Sequence, residues 1–358
     1  MAEVRIENVW KYYGEVEDAK DVSFTCQNEE FLALLGPSGC GKSSTLRMIA
    51  GLEKISKGDI YIGGQLVNDL EPRERNIAMA FETYALYPPL DTYGNIAYPL
   101  RVAGMDKNQI DQRVHDVAEM LEIEDILDQN PHELSGGHQQ RISLARALVR
   151  DPTVFLLDEP ISHLDEHQRV RLRTRIRELH EDLQATTLYV THDQEEAVTL
   201  ADRIAIMQSG QLQQLGDYQQ LFEEPANHFV GGFVGSPPMN FFSGQLMDGG
   251  IFTSRDFKGE FKLPAQLNLN GRKGEMIMGI RPEHITIQQE TDHNTAEAKV
   301  QVIEFLGDHQ ILTAELNGTE LKIRTTAEHR YNQNDTAIVN FPPDHIHLFD
   351  PETGERLL

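Results

Sequence analysis

Three short stretches of the chain are apolar at nearly every position. They are Phe31-Leu32-Ala33-Leu34-Leu35, Val154-Phe155-Leu156-Leu157 and Thr187-Leu188-Tyr189-Val190. Runs of this kind predict strands buried on both faces of a parallel sheet. Helically spaced stretches, such as Ser43 to Ala50 and Arg169 to Leu183, lie near them. That alternation predicts an α/β domain. Between about 88 and 150 the strand pattern stops and a helical period takes over, as in Ile110 to Leu121. A helical subdomain inserted in the α/β core is expected there. Gly231-Gly232 and Ser236-Pro237-Pro238 punctuate the chain, which places a domain boundary after residue 235. Short strands come next, among them Met276 to Arg281, Val300 to Phe305 and Gln310 to Leu316. Asn317-Gly318 is a strong hairpin signal. Residues 236–358 therefore read as a small all-β barrel of the oligonucleotide/oligosaccharide-binding (OB) type.

Charge narrows the function classes. Asp and Glu number 57 against 32 Lys and Arg, a formal net charge of -25. Nucleic-acid binders need a positive footprint, so that class is excluded. Docking on anionic lipid is disfavoured for the same reason. Cys26 and Cys40 make no disulfide framework, and a cytoplasmic setting is expected. Met1-Ala2-Glu3-Val4-Arg5 does not read as a signal peptide. No apolar run approaches the roughly 20 residues that span a bilayer. If the protein serves a membrane process, another chain supplies the membrane.

The first apolar strand runs into Gly36-Pro37-Ser38-Gly39-Cys40-Gly41-Lys42-Ser43, followed by Ser44 and a helix. This fits the phosphate loop G-x-x-x-x-G-K-[ST]. Glycines let backbone N–H groups converge on an anion, and the helix points its positive end at it. Lys42 is expected on the β- and γ-phosphates and Ser43 on Mg²⁺. Cys40 reads as a small filler. Val154-Phe155-Leu156-Leu157-Asp158-Glu159 is a strand ending in two acids. Asp158 is placed to hold Mg²⁺ through water, and Glu159 to polarise the attacking water.

Leu134-Ser135-Gly136-Gly137-His138-Gln139-Gln140-Arg141 is a second glycine-rich helix start. It resembles the signature motif of the ABC ATPases. The resemblance implies that Ser135, Gly136 and Gly137 close over ATP held by the phosphate loop of a second subunit. Other elements occur in the family's order. Tyr13 resembles the aromatic that stacks on adenine. Asp165, in Ser162-His163-Leu164-Asp165, resembles the residue that links two active sites. His192 resembles the switch histidine on the γ-phosphate. After Ile77-Ala78-Met79-Ala80-Phe81 the family has a glutamine that binds Mg²⁺ and water, and this chain has Glu82. A carboxylate is still a hard ligand, but it adds negative charge beside Glu159. A weakly active or regulatory subunit paired with a second ATPase therefore stays open as an alternative.

The stretches Leu46 to Glu53, Tyr84 to Pro88, Gly279 to His284 and His345 to Asp350 resemble the ATPases of maltose-type importers of carbohydrates, polyols and sn-glycerol 3-phosphate. The resemblance implies partners. These are a second ATPase subunit, identical or not, and transmembrane permease subunits. An external solute-binding protein would act indirectly, and a regulatory protein could bind the barrel. Tyr84, Leu86 and Tyr87 are the expected permease contacts, in a groove that takes a helix. The implied location is the cytoplasmic face of the membrane. His345 and His347 would share one strand face, which is too few ligands to close a zinc site. No Asn-Lys-x-Asp motif is present, which excludes a GTPase.

Overall fold

The computed structural model describes residues 2–257, 259–263, 272–291, 294–328 and 330–357. The chain forms two compact units, Met1–Tyr218 and Gln219–Leu358.

The first unit is built on two sheets. The larger has the order Gln211–Gly216, Arg203–Gln208, Phe31–Leu35, Thr186–Thr191, Val154–Asp158, Ile77–Ala80. All neighbours in it are parallel except the first pair. The smaller is antiparallel, with the order Val16–Cys26, Val4–Tyr13, Lys57–Ile62, Gln65–Leu66. The apolar strands feed two cores by their period of two. Leu32, Leu34, Leu156, Leu188 and Val190 face the core shared with the smaller sheet and the helix Lys42–Ala50. Phe31, Phe155, Leu157 and Tyr189 face the other core. That second core also takes Ile96, Val114 and Ile142 from the helices Thr92–Val102, Lys107–Met120 and Gly136–Leu148. No strand interrupts these helices between Ala80 and Val154. Burying a leucine on either face contributes about 2 kcal/mol, so both faces of these strands are mainly apolar.

The second unit carries two five-stranded sheets, antiparallel at every pairing among the described residues. One has the order Glu260–Lys262, Ile251–Ser254, Asn240–Met247, Gly274–Ile280, His347–Phe349. The other has the order Thr286–Gln288, Thr336–Asn340, Thr295–Phe305, His309–Leu316, Thr319–Thr326. Phe242, Phe252 and Met278 from the first meet Val300, Leu312 and Val339 from the second in one core. Asn317 and Gly318 both have positive φ, 50° and 95°, and close the expected two-residue hairpin.

The division falls before residue 235 because residues 222–234 pack with the later strands. Arg281 is fully buried. Its guanidinium donates to the carbonyls of Phe222 at 2.7 Å and Val234 at 2.6 Å and lies 3.8 Å from the Phe222 ring. The histidine pair differs from expectation. His345 ends a 3-10 turn, Pro343–His345, and stacks on His284 at 3.9 Å, so it does not share a strand with His347. Among the described residues no group of three metal-ligating side chains is present. Burial pushes the imidazoles of His284 and His347 down to about 4.

Candidate functional site

The strand Phe31–Leu35 delivers the chain into the phosphate loop, and Gly41 opens the helix Lys42–Ala50. Gly41 has φ 93° and gives that helix no side-chain cap, so its first N–H groups keep no protein side chain on them. A Cβ on Gly41 would lie 2.5 Å from the carbonyl of Asp18, and one on Gly36 would lie 2.2 Å from that of Met207. Only glycine fits either position. Ser38 and Gly39 form the exposed tip, and Ser44 is half-buried on the helix. Lys42 is buried, and its ammonium donates to the carbonyls of Gly36 at 2.8 Å and Pro37 at 2.9 Å. Burial pushes the Cys40 thiol up, against the pull of Lys42, which suits a filler and not a nucleophile.

The acids converge beside this loop. Ser43 donates its hydroxyl to Asp158 Oδ1 at 2.8 Å. Asp158 is fully buried, and its Oδ2 has no hydrogen-bond partner. Arg47 Nη2 is 3.9 Å from that oxygen. Burial holds the Asp158 carboxyl above the usual range. Ser43 and Arg47 oppose the rise, and Glu82 and Glu159 add to it. An orphaned carboxylate oxygen next to a hydroxyl, with more acids around it, is a donor set that fits a hard divalent cation.

Glu159 stands just past the strand in a left-handed conformation, φ 45°. Its N–H donates to Val190 O at 3.0 Å, and its carboxylate lies 3.0 Å from His192 Nδ1. A glutamate in that backbone region is strained by about 1 kcal/mol, so the surroundings must hold it. Gln140 does much of this. Its side chain is buried, donating to Glu159 O at 2.9 Å and accepting from the His163 N–H at 3.0 Å. In the sequence Gln140 is legible only as one position of the stretch Leu134 to Arg141. Arg47, likewise, is legible in the sequence only as one position of Leu46 to Glu53.

The second glycine-rich helix start is arranged differently. Ser135 caps its own helix, accepting from the His138 N–H at 3.3 Å, and lies exposed with Gly136. Burial, with Arg141 second, holds the His138 imidazole below its usual range. Among the described residues Ser135, Gly136 and Gly137 make no hydrogen bond to the phosphate loop. Asp165 caps the helix Glu166–Leu183 by accepting from Gln168 N–H at 3.0 Å.

Tyr13 is 45% exposed and holds the Lys11 ammonium 4.6 Å from its ring centre. A groove of about 370 Å³ is lined by Phe81, Tyr87, Tyr98 and Arg146 among others. Of the three expected permease contacts only Tyr87 lines it. Tyr84 and Ala85 both have positive φ, 61° and 48°. That turn aims the Tyr84 ring at His163, 5.6 Å away, and Leu86 packs against the helical core. Arg146 fixes the turn by donating to the carbonyls of Tyr84 and Ala85 at 3.1 and 2.7 Å.

Comparison with known proteins agrees with this geometry. Residues 19–162 match the ABC transporter family, 235–285 the MalK OB fold domain and 278–349 the TOBE domain. The chain is 45% identical to the trehalose/maltose import ATP-binding protein MalK of Thermococcus litoralis, over 100% of both chains. This protein belongs to the ABC import ATPases. Its identity to the oligosaccharides import ATP-binding protein MsmX of Bacillus subtilis is 44%, again over 100% of both. It is 43% for the sn-glycerol-3-phosphate import ATP-binding protein UgpC of Cupriavidus pinatubonensis, with the same coverage. A dimeric bacterial ABC transporter cassette aligns with a TM-score of 0.57 and 31% identity, over 60% of this chain and 98% of that one. The same cassette bound to ADP and Pi, in a post-hydrolysis state, aligns equally well. The ATPase is thus the ATP-hydrolysing subunit of an ABC importer, and its fold is an ABC ATPase domain followed by OB and TOBE domains. Among the described residues it has no helix long and apolar enough to cross a membrane.

Proposed function

We propose that two copies of this ATPase hydrolyse Mg·ATP at shared sites and so drive uptake of a carbohydrate, polyol or glycerol-phosphate solute through permease subunits. The observation that carries the reading is the separation of two anion cradles. One, Gly36 to Ser43, has its own lysine. The other, Ser135 to Gly137, lies open and bonds to none of the first. A second copy supplies the missing half. Relatives named for trehalose/maltose, oligosaccharides and sn-glycerol-3-phosphate support the solute class.

In each site Tyr13 stacks on the adenine. The loop's N–H groups and Lys42 hold the phosphates. Ser43, Asp158 and Glu82 would hold Mg²⁺, which would supply neutralisation of the phosphate charge. Glu159 accepts a proton from the attacking water, and His192 keeps the carboxylate aimed while contacting the γ-phosphate. Asp165 meets the partner's site, and Tyr87 meets a permease helix at the groove. The ATPase then sits on the cytoplasmic face of the membrane, held there by its permease.

Glu159→Gln should retain ATP binding and lower turnover about a thousandfold. Unchanged phosphate release by the purified variant would exclude Glu159 as the base.

A further inference from the structure

In the second unit, the sheet that begins with Thr286–Gln288 ends with Thr319–Thr326. These two edge strands do not pair. One backbone bond, from Arg324 N–H to Pro282 O at 3.0 Å, spans the seam among the described residues. A cavity of about 820 Å³ opens there, lined by both edges and by the ends of neighbouring strands. Its size falls within the range of about 300–1,000 Å³ typical of small-molecule sites.

The lining has a distinct chemistry. Ile285 and Ala337 are buried members of the core and give the cavity apolar patches. Around them stand hydroxyl and amide side chains, including Gln288, Thr325, Thr326 and Thr336. Tyr331 packs partly on the core, and burial pushes its hydroxyl up. Among the described residues the side chains of Gln288, Arg324 and Tyr331 make no hydrogen bond or ion pair. They are donors and acceptors without protein partners.

Charge decides the ligand class. Glu283 and Asp308 supply two carboxylates against one guanidinium, Arg324. His309 is held by Asp308 at 2.7 Å. The cavity therefore has no positive excess to draw a phosphate or a carboxylate. No three-ligand metal group is present among the described residues. An apolar ligand would strand the unpartnered polar groups, which opposes its binding. A neutral polyhydroxylated molecule meets every condition. Its vicinal hydroxyls both donate and accept, matching amide, guanidinium and hydroxyl side chains. Its C–H faces suit the tyrosine ring and the isoleucine.

We infer that this seam is a binding site for a neutral mono- or disaccharide on the ATPase itself, separate from the nucleotide site and from any transport path. Occupancy would bridge two strand edges that the fold leaves unpaired, so the second unit is stiffened when sugar is present.

Isothermal titration of the full-length protein with glucose and with maltose tests this, with sn-glycerol 3-phosphate as the anionic control. At least one neutral sugar should bind with an affinity of about 1 mM, and the anion should not. Arg324→Ala and Gln288→Ala, at sites that make no internal side-chain bonds among the described residues, should each weaken binding about fivefold, as expected for one hydrogen bond. ATP affinity and turnover, read on the same preparations, should not change. No binding of either sugar, binding of the anion in their place, or sugar binding unaltered in both variants would overturn the site. Failure of ATP turnover with sugar binding intact would count against the proposed motor and leave this site standing.

Discussion

Two stretches of this chain look alike on paper and are built for different work. Gly36 to Ser43 and Ser135 to Gly137 are both glycine-rich helix starts. The first helix begins at Gly41 without a side-chain cap, so its N–H groups remain for a ligand, and a buried lysine stands beside them. The second begins at Ser135, whose hydroxyl is turned onto its own helix, and the nearby His138 is held below its usual range and so favours the neutral form. A triphosphate needs charge compensation as well as N–H donors. The first cradle offers both; the second offers no cation of its own, and under the proposed function it completes a site that another subunit brings. Similar sequence signals therefore mark two different local structures, an uncapped helix start beside a lysine and a capped one. What separates them is the cap and the cation.

The comparison can be broken most severely at the lysine. Lys42→Ala should lower nucleotide affinity about a hundredfold, since it removes charged hydrogen bonds of about 1.5–3 kcal/mol. Titration with a fluorescent nucleotide reads this. An affinity close to wild type would mean that the N–H groups suffice and that the cation does not separate the two cradles.

A smaller effect is expected where the two regions are joined. Gln140 lies on the helix that starts after Ser135 and grips the backbone of Glu159 and His163. Gln140→Ala should lower kcat about tenfold with little change in KM, because it loosens the carboxylate and leaves the phosphate loop intact. A matching rise in KM would show that Gln140 acts on nucleotide binding. The smallest effect is expected at Glu82. Glu82→Gln removes one carboxylate from beside Asp158 and should raise turnover about threefold. Glutamine keeps an oxygen for the cation, so a fall in turnover would show that the negative charge of Glu82 is itself needed to hold it.

Much of this was legible in the sequence. The strands Phe31–Leu35 and Val154–Asp158 are apolar almost throughout because both faces are buried, so the loop and acids at their ends could be placed. The turn at Asn317-Gly318 could be read because few residues adopt two consecutive left-handed conformations. Other features depend on contacts that periodicity does not encode. Residues 222–234 join the second unit because buried Arg281 takes the carbonyls of Phe222 and Val234, a contact that the glycine and proline punctuation does not reveal. The left-handed turn at Tyr84 and Ala85 is held by Arg146, far along the chain, and the aromatic run that contains it does not show that bracing. Gln140 was visible as a residue and invisible as a brace, since its partners lie on another loop. The carbohydrate-type assignment of the importer came from resemblance, and no residue pattern alone would have supplied it.

The central claim is that each ATP site is shared, with a cradle from either subunit. Lys42→Ala and Gly136→Asp each disable one cradle, so each variant alone should be nearly silent. Mixed in equal amounts, half of the dimers carry one variant of each kind and have one intact site out of two. ATP turnover should then recover to about a quarter of the wild-type rate, as expected for random pairing in a symmetric dimer. No recovery on mixing, with a wild-type rate per subunit that does not rise with protein concentration, would contradict the shared site.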